Sequence, residues 1–331
     1  MRIDTPSRLG RTGIVIIGRN EGERLLASLR SVCAAENVVV YVDSGSSDRS
    51  CEIAQLAGAT VVRLDLTKPF SAARARNAGF AALLDRNEEL EFVQFVDGDC
   101  ELDAGWLKIA PAFLLAHPKI GVVCGRRRER YPERSIYNKL CDMEWDTAIG
   151  ETKECGGDFL ARVKSFQQVD GFSECMIAGE EPELCTRLRA IGWRIWRLEA
   201  EMTRHDANIK FFWQWWRRSL RTGYAAAALS RLHGGGPDRL RMRNVTSALA
   251  WGGVVPAIIA VGTLCYPPLI AAITIYIIQI LRIGLRGAHK GNDGLLYGMF
   301  LMLGKFAEFL GIIKFVVARI GGREQGLIEY K

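Results

Sequence analysis

The chain has 331 residues, 49% of them hydrophobic and 24% charged, with a formal net charge of +7. That length buries a full core and holds one large domain or two of ordinary size, which excludes a short binding module. The basic excess is gathered at Arg126–Arg130, Arg217–Arg221, Arg239–Arg243 and Arg282–Lys290 without a helix-turn-helix, zinc module or aromatic RNA-binding signature. Nucleic acid is therefore not an expected partner, and anionic lipid head groups or phosphorylated substrates are.

In chain order, the first twelve residues are polar and carry Arg2, Arg8 and Arg11 without an apolar stretch and cleavage site, so export by a signal peptide is not expected. Gly13–Gly18 reads GIVIIG, and Asn37–Val42 reads NVVVYV ahead of the turn Asp43-Ser-Gly-Ser-Ser-Asp48. Both runs predict buried parallel strands. Between them Leu25, Leu26, Leu29 and Val32 fall at helical spacing over Glu21–Ala35. A helix at Arg49–Leu56, a strand at Thr60–Leu64, an alanine-rich helix at Ala72–Leu84 and a strand at Glu91–Val96 follow. Such alternation predicts an α/β fold with a parallel sheet, whose ligands lie at the carboxyl ends of the strands. Gly18, Asp43 and Asp97 fall at those ends.

Asp97-Gly98-Asp99 places two carboxylates where a buried strand opens into a turn. Hard cations such as Mg²⁺ or Mn²⁺ take carboxylate oxygen and fill their other positions with water and diphosphate, so the triplet fits a metal-bridged nucleotide. By itself it also fits a Ca²⁺ loop or a solvated turn. Beyond it come a strand at Ile120–Cys124, the loop Cys155-Gly-Gly-Asp158, a helix over Glu180–Ile191 and a strand near Trp193–Leu198.

Phe211-Phe-Trp-Gln-Trp-Trp216, followed by Arg217, Arg218 and Arg221, fits either a packed helix with a basic side or a membrane-interface segment. Ser247–Cys265 carries no charge, Pro267-Pro268 interrupts, and Leu269–Leu281 is apolar, which predicts a membrane hairpin at about 247–265 and 268–284. Arg239, Arg241 and Arg243 before it, and Arg282, Arg286 and Lys290 after it, put both ends in the cytoplasm. Leu295–Ile320 is apolar but carries Lys305, Glu308 and Lys314 at spacings of three and six. An interfacial amphipathic helix is preferred there over a third span. Gly252, Gly253 and Gly262 offer small-residue surfaces for packing of membrane helices, hence a route to an oligomer. Nine cysteines stand singly with no C-x-x-C, which reads as reduced thiols in a reducing compartment.

Taken together, IVIIGRNEGERL, VVYVDSGSSDRS, FSAARARNAGFAA, FVDGDCELDAGWL, CGGDFLARVKSFQQVDGF and GEEPELCTRLRAIGW resemble, in order, the motifs of the family 2 glycosyltransferases. These are inverting GT-A enzymes that use nucleotide-diphosphate sugars. The resemblance covers Ile14 to Arg204, about two-thirds of the chain, and implies a Rossmann-like GT-A nucleotide-sugar domain over 1–210. Amphipathic connecting helices would span 211–244 and an α-helical membrane region 245–331.

By that resemblance Asp99 holds Mg²⁺ or Mn²⁺, with Asp97 beside it or nearer the ribose, and His205 stands where some GT-A enzymes supply a third metal ligand. Asp43 matches the acid that reads uracil, and Gly18, Arg19 and Glu21 match the loop around base and ribose. Arg76 matches a nucleotide-side arginine. Gly156 and Gly157 would let backbone approach the sugar diphosphate, and Asp158 would touch donor or acceptor hydroxyls. Glu180 and Glu181 stand where the family carries Glu-Asp, the second acid taking the acceptor proton. The extra methylene leaves either Glu181 slightly displaced in that role or Glu180 in its stead.

Trp216–Gly223 lies where processive synthases carry Q-x-x-R-W and does not match it, which argues for addition of one sugar. The implied enzyme moves sugar from a UDP-sugar to a saccharide acceptor, lipid-linked in this reading, at the cytoplasmic face of a bacterial inner membrane, in exopolysaccharide or envelope glycan assembly. Two alternatives stay open: a polyprenyl-phosphate sugar synthase, with Arg126, Arg127, Arg128 and Arg130 as acceptor-side cations, and a non-catalytic nucleotide-binding membrane module.

Overall fold

The computed structural model describes residues 11–33, 37–87, 89–176, 178–233, 240–286 and 293–321. Arg2 and Arg8 of the polar N-terminus, Arg239 and Lys290 of the basic clusters, and Ala34 and Ala35 of the first expected helix lie outside them. The chain divides into two compact units, one built from residues up to Pro132 with Glu144–Ala207, the other from Glu133–Met143 and everything from Asn208 on.

In the first unit, β1 (Thr12–Gly18), β2 (Val38–Asp43), β3 (Thr60–Arg63) and β4 (Phe92–Asp97) alternate with α1 (Glu23–Val32), α2 (Ser50–Leu56) and α3 (Ala72–Arg86). They pair in the order β3-β2-β1-β4, all parallel. Runs of Val and Ile make this possible: Ile14, Val15, Ile16, Val40 and Val42 are fully buried, as central strands covered on both faces require. α1 turns Leu25, Leu29 and Val32 toward that core. Ser71 caps α3 by accepting the Arg74 N–H at 3.2 Å.

The rest of the sheet departs from the parallel expectation. After β5 (Cys100–Leu102), α4 (Trp106–Ala116) and β6 (Ile120–Glu129), the chain passes through α5 (Ile136–Glu144) before β7 (Gly150–Thr152), β8 (Phe159–Arg162), α6 (Val163–Gln167), α7 (Glu180–Ala190) and β9 (Arg194–His205). The full order is β3-β2-β1-β4-β8-β6-β9-β5, with β7 on β9. β8 runs antiparallel to both neighbours, β5 and β7 run antiparallel to β9, and β6 and β9 are parallel. Strands of three or four residues such as β5, β7 and β8 are too short to show a period, so their pairing is decided by what lies beside them.

The second unit is helical. Besides most of α5 it contains α8 (Phe212–His233), α9 (Leu240–Leu249), α10 (Val255–Cys265), α11 (Thr274–Arg286) and α12 (Gly294–Ile320). A π-helical turn at Ala250–Val254 joins α9 to α10, and a 3₁₀ turn beginning at Pro267-Pro268 leads into α11. Among the described residues, two helical runs are long and apolar enough to cross a membrane: Arg241–Cys265 and Pro267–Arg286. Their apolar side chains, among them Ile258, Val261, Leu264, Ile278 and Leu285, face outward. A contiguous apolar surface of that kind is covered by lipid or another protein.

α12 differs from the amphipathic helix expected. Lys305 and Glu308 pair with each other at 2.7 Å and are only 13% and 16% exposed. Gly223 of α8 packs on the backbone of Glu308, and Gly252 on the carbonyl of Lys305. Close backbone approach through small residues thus draws this stretch of α12 inward, leaving Lys314 exposed.

Candidate active site

Parallel pairing aligns the three expected ends: Gly18 is opposite Asp43 on β2, and Ile17 is opposite Asp97 on β4. The β1 and β2 loops are tied together, Asn20 N–H donating to Ser46 Oγ at 2.9 Å and Ser47 N–H to Asn20 Oδ1 at 2.8 Å. Arg19 stacks over Phe70 at 5.1 Å, and Glu21 pairs with Arg24 at 2.8 Å. Asp43 is buried and largely engaged by its own turn. Its Oδ2 accepts the N–H groups of Gly45 and Ser46, each at 3.0 Å, and its Oδ1 accepts the Tyr41 hydroxyl at 3.2 Å. Burial alone would raise its pKa, but the hydrogen bonds from Ser46, Gly45 and Tyr41 outweigh it and hold the carboxyl below the usual range.

Arg76 sits at the centre of a buried charge network. Its side chain is 3% exposed, donates to Asp97 Oδ1 at 2.8 Å and to Glu180 Oε1 at 3.0 Å, and lies 5.4 Å over the Phe172 ring. Burial opposes its charge, and the carboxylates of Asp97 and Glu180 more than restore it. Its role is therefore first to hold these two acids apart and in place. Arg76→Ala leaves both facing an emptied pocket and should cost about 3–5 kcal/mol, read as a lower unfolding midpoint in denaturant.

Gly157 closes on the same pair: a Cβ there would stand 2.9 Å from Asp97 Oδ2 and 3.0 Å from Arg76 Nη2. We expect Gly157→Ala to shift the pair and slow turnover by about 100-fold with little change in secondary structure, checked by steady-state kinetics beside circular dichroism.

Asp158, expected at the substrate hydroxyls, is instead fully buried. Oδ1 accepts the Asp97 N–H at 2.9 Å, Oδ2 accepts the Thr203 hydroxyl at 2.9 Å, and Arg127 Nε stands 3.4 Å from Oδ2. A carboxylate so enclosed acts on the backbone of β4 and on Arg127, because its oxygens point into the protein.

Antiparallel pairing of β5 with β9 sets Cys100 opposite His205 and brings the imidazole over Asp99, with Nε2 3.2 Å from Oδ2. His205 is enclosed by Trp145, whose ring packs edge-on at 4.9 Å, and by Glu129, whose Oε2 is 3.9 Å from Nδ1. Nδ1 is buried without a hydrogen-bond partner. Burial, reinforced by the nearby Arg127 charge, pushes the His205 pKa down to about 3, so the ring is neutral.

A neutral imidazole and a carboxylate suit Mg²⁺ or Mn²⁺. Neighbouring ligand atoms around an octahedral ion with bonds of about 2.1 Å are about 3 Å apart, close to the observed separation. Ligand atoms of Asp99, Cys100 and His205 lie within 4.8 Å of one another, as do those of Asp97, Cys100 and Asp158. Cys100 links the two groups; burial keeps its thiol protonated, while the carboxylates remain the hard donors.

Glu180 and Glu181 open α7, and a step of one residue turns the helix by about 100°. That rotation separates them. Glu180 faces Arg76, whereas Glu181 faces Cys155 and Cys185, its Oε1 accepting the Cys155 N–H at 2.5 Å and approached by Cys185 Sγ at 3.0 Å. Burial raises the Glu181 pKa, and the charge of Glu154 raises it further against the Cys185 and Cys155 hydrogen bonds. The two acids thus meet different surroundings, a buried cation at Glu180 and two thiols at Glu181.

Residues 13–169 match the family model described as Glycosyl transferase family 2. The chain carries a family 2 glycosyltransferase domain. It is 27% identical over 218 residues to the succinoglycan biosynthesis protein ExoA of Rhizobium meliloti (strain 1021), a match covering 61% of this chain and 66% of that one. It is 30% identical over 241 residues to the pre-mycofactocin glycosyltransferase of Mycobacterium tuberculosis, covering 68% of this chain and 48% of that one. The chain thus spans about two-thirds of the first of these relatives and about half of the second. In fold it is similar to the mannosyltransferase PcManGT from Pyrobaculum calidifontis, solved with GDP-Man and Mn²⁺, at a TM-score of 0.65 and 19% identity over 96% of this chain and 89% of that one. The likeness supports a GT-A fold.

Within the family 2 domain, several neighbours of the site escaped sequence reading. Arg127 lay inside a basic cluster, yet it reaches Asp97 Oδ2 at 3.4 Å and stacks over Trp145 at 4.9 Å. In the same cluster Arg128 pairs outward with Glu201 and Arg130 with Glu101. The available signal was the alternation of a strand, which sends adjacent residues to opposite faces. No local signal marked Thr203, Cys155 or Cys185.

Proposed function

We propose that the chain is an inverting, metal-dependent glycosyltransferase. It moves one sugar from a UDP-sugar to a lipid-linked saccharide at the cytoplasmic face of a bacterial inner membrane, in exopolysaccharide or envelope glycan assembly. The observation that carries this reading is the convergence of Asp99 with His205, and of Arg76 with Asp97 and Glu180, at the carboxyl ends of β1, β2 and β4.

In this reading Asp43 and the Gly18-Arg19-Asn20-Glu21 loop hold the nucleoside, and the Gly156-Gly157 backbone lies along the sugar diphosphate. Mg²⁺ or Mn²⁺, held by Asp99 and His205 with Asp97 alongside, would offset the charge that builds on the departing diphosphate. Arg76 and Arg127 hold Asp97 in register for that task. Glu181 takes the proton of the acceptor hydroxyl as its oxygen attacks the anomeric carbon opposite the diphosphate, which inverts the configuration. A polysaccharide product agrees with the named role of the Rhizobium relative, and the outward-facing hairpin agrees with a membrane-borne acceptor.

A second reading, transfer to a polyprenyl phosphate, is favoured by one observation. The buried guanidiniums of Arg126 and Arg197 both approach Asp146 at 3.6 Å, a cationic setting in which an acceptor phosphate could replace the exposed carboxylate.

The test is transfer from radiolabelled nucleotide sugars into the butanol-extractable lipid of membranes containing the chain, with Mn²⁺ and with EDTA. Label from a UDP-sugar that EDTA abolishes is the expected result. Label from a donor with another base, or label that EDTA leaves intact, overturns the corresponding part, and no label from any donor overturns the whole.

A further inference from the structure

On the face of α7 away from Arg76, two cysteines with no shared motif meet one carboxylate. Cys185 lies one helical turn beyond Glu181, and Cys155 comes from the loop ahead of β8. Their sulfurs are 3.5 Å apart, Cys185 Sγ is 3.0 Å from Glu181 Oε1, and ligand atoms of all three residues lie within 4.8 Å of one another. Cys124 of β6 is close by: burial raises its thiol, and the charges of Glu181 and Cys185 raise it further.

We propose that Cys155, Cys185 and Glu181 form a binding site for a thiophilic divalent cation of the zinc type, distinct from the Asp99 and His205 pair.

Geometry and donor chemistry carry this. Tetrahedral zinc with bonds to sulfur of about 2.3 Å holds two sulfurs about 3.8 Å apart, a few tenths of an ångström from the observed spacing. A disulfide would instead require closure to about 2.0 Å. Two sulfurs and one oxygen select zinc or cadmium over Mg²⁺ and Mn²⁺, which keep to oxygen and nitrogen. Binding exchanges the two thiol protons, released to solvent, for the cation, and leaves one coordination position for water.

Access runs through the loop. Gly156 adopts φ +83, and a Cβ there would meet nothing within 4 Å, so the segment beside Cys155 borders open space. Bound metal would hold the Glu181 carboxylate and withdraw it from proton transfer, a consequence that rests on the role proposed for Glu181 above. Zinc would then inhibit while manganese supports transfer.

The experiment is a cobalt titration of the purified, metal-stripped full chain in detergent with a phosphine reductant and no nucleotide sugar. A thiolate-to-cobalt charge-transfer band that zinc displaces is expected. It should persist in Asp99→Asn and in Cys175→Ser/Cys265→Ser, which removes the two exposed thiols, and vanish in Cys155→Ser and Cys185→Ser that unfold cooperatively. If the cysteine variants do not fold, Glu181→Gln serves instead and should weaken cobalt binding by at least about tenfold. Absence of the band from the wild type, its survival in folded cysteine variants, or its loss with Asp99→Asn overturns the proposal. Because no sugar transfer is read, failure here is separable from failure of the glycosyltransferase reading.

Discussion

Asp99→Asn is expected to reduce kcat/KM for sugar transfer by at least about 10²- to 10³-fold, the scale on which a preorganised electrostatic partner of a developing anion is lost. The substitution keeps the shape of the side chain and removes its charge. Asp99 is 7% exposed and lies against a neutral, buried His205, and the nearby Arg127 keeps its pairing with Asp97, so the fold should survive. What is lost is the carboxylate oxygen proposed to hold the ion together with the imidazole. Two readouts check this: turnover that rising Mn²⁺ does not restore, and affinity for the nucleoside diphosphate that becomes the same with Mn²⁺ as with EDTA. Wild-type turnover with an unchanged manganese response would sink the metal assignment.

Glu181→Gln should lower transfer to a hydroxyl acceptor by about 10²- to 10⁴-fold while leaving donor binding intact, the usual span for loss of a positioned general base. The same substitution separates the two acceptor classes. A lipid phosphate already carries its negative charge and needs no proton removed, so transfer to it would be spared.

The pH dependence follows from the raised Glu181 pKa. In the proposed role of base Glu181 must be ionised, so turnover should rise with pH through a value above the ordinary carboxylate range, and this limb should disappear in the variant. The effect on stability has the opposite sign. Between the unfolded carboxyl pKa near 4.5 and the higher folded value, the native state holds a proton that the unfolded chain has released. Stability associated with Glu181 is therefore complete below that window and is lost as pH rises through it. Gln carries no such proton, so Glu181→Gln should unfold at a higher temperature than wild type at neutral pH, measured by thermal melts at several pH values. A residue that trades stability for activity behaves in this way.

The local pattern of the chain was enough to read the first half of the sheet. Predominantly apolar runs at Gly13–Gly18, Val38–Val42 and Phe92–Val96, each ended by Gly or Asp and separated by helical spacing, leave little choice but parallel strands with polar turns at one end. For the same reason Asp43, Asp97 and Asp99 could be named together from sequence. The two apolar helices were legible because a length and composition sufficient to cross a bilayer are carried by neighbouring residues.

Other parts of the site depend on pairings that no local pattern encodes. His205 reaches Asp99 only because three residues of β5 pair antiparallel with the end of β9. Asp158 reads as a loop acid that would touch donor or acceptor hydroxyls until β8 enters between β4 and β6 and buries it beneath Asp97. Lys305 and Glu308 read as one solvated face until the glycines of α8 and of the π-helical turn let α12 approach.

The sequence by itself determined the family 2 domain, the strand ends that carry its acids, and the two apolar helices, because each follows from neighbouring residues and the solvent they must face. The tertiary structure alone decided that Glu180 answers to Arg76 while Glu181 meets Cys155 and Cys185, and that Arg126 and Arg127 turn inward while Arg128 and Arg130 pair outward. Those outcomes are set by the rotation of one helix and the register of distant strands, and such geometry exists only once the chain has packed.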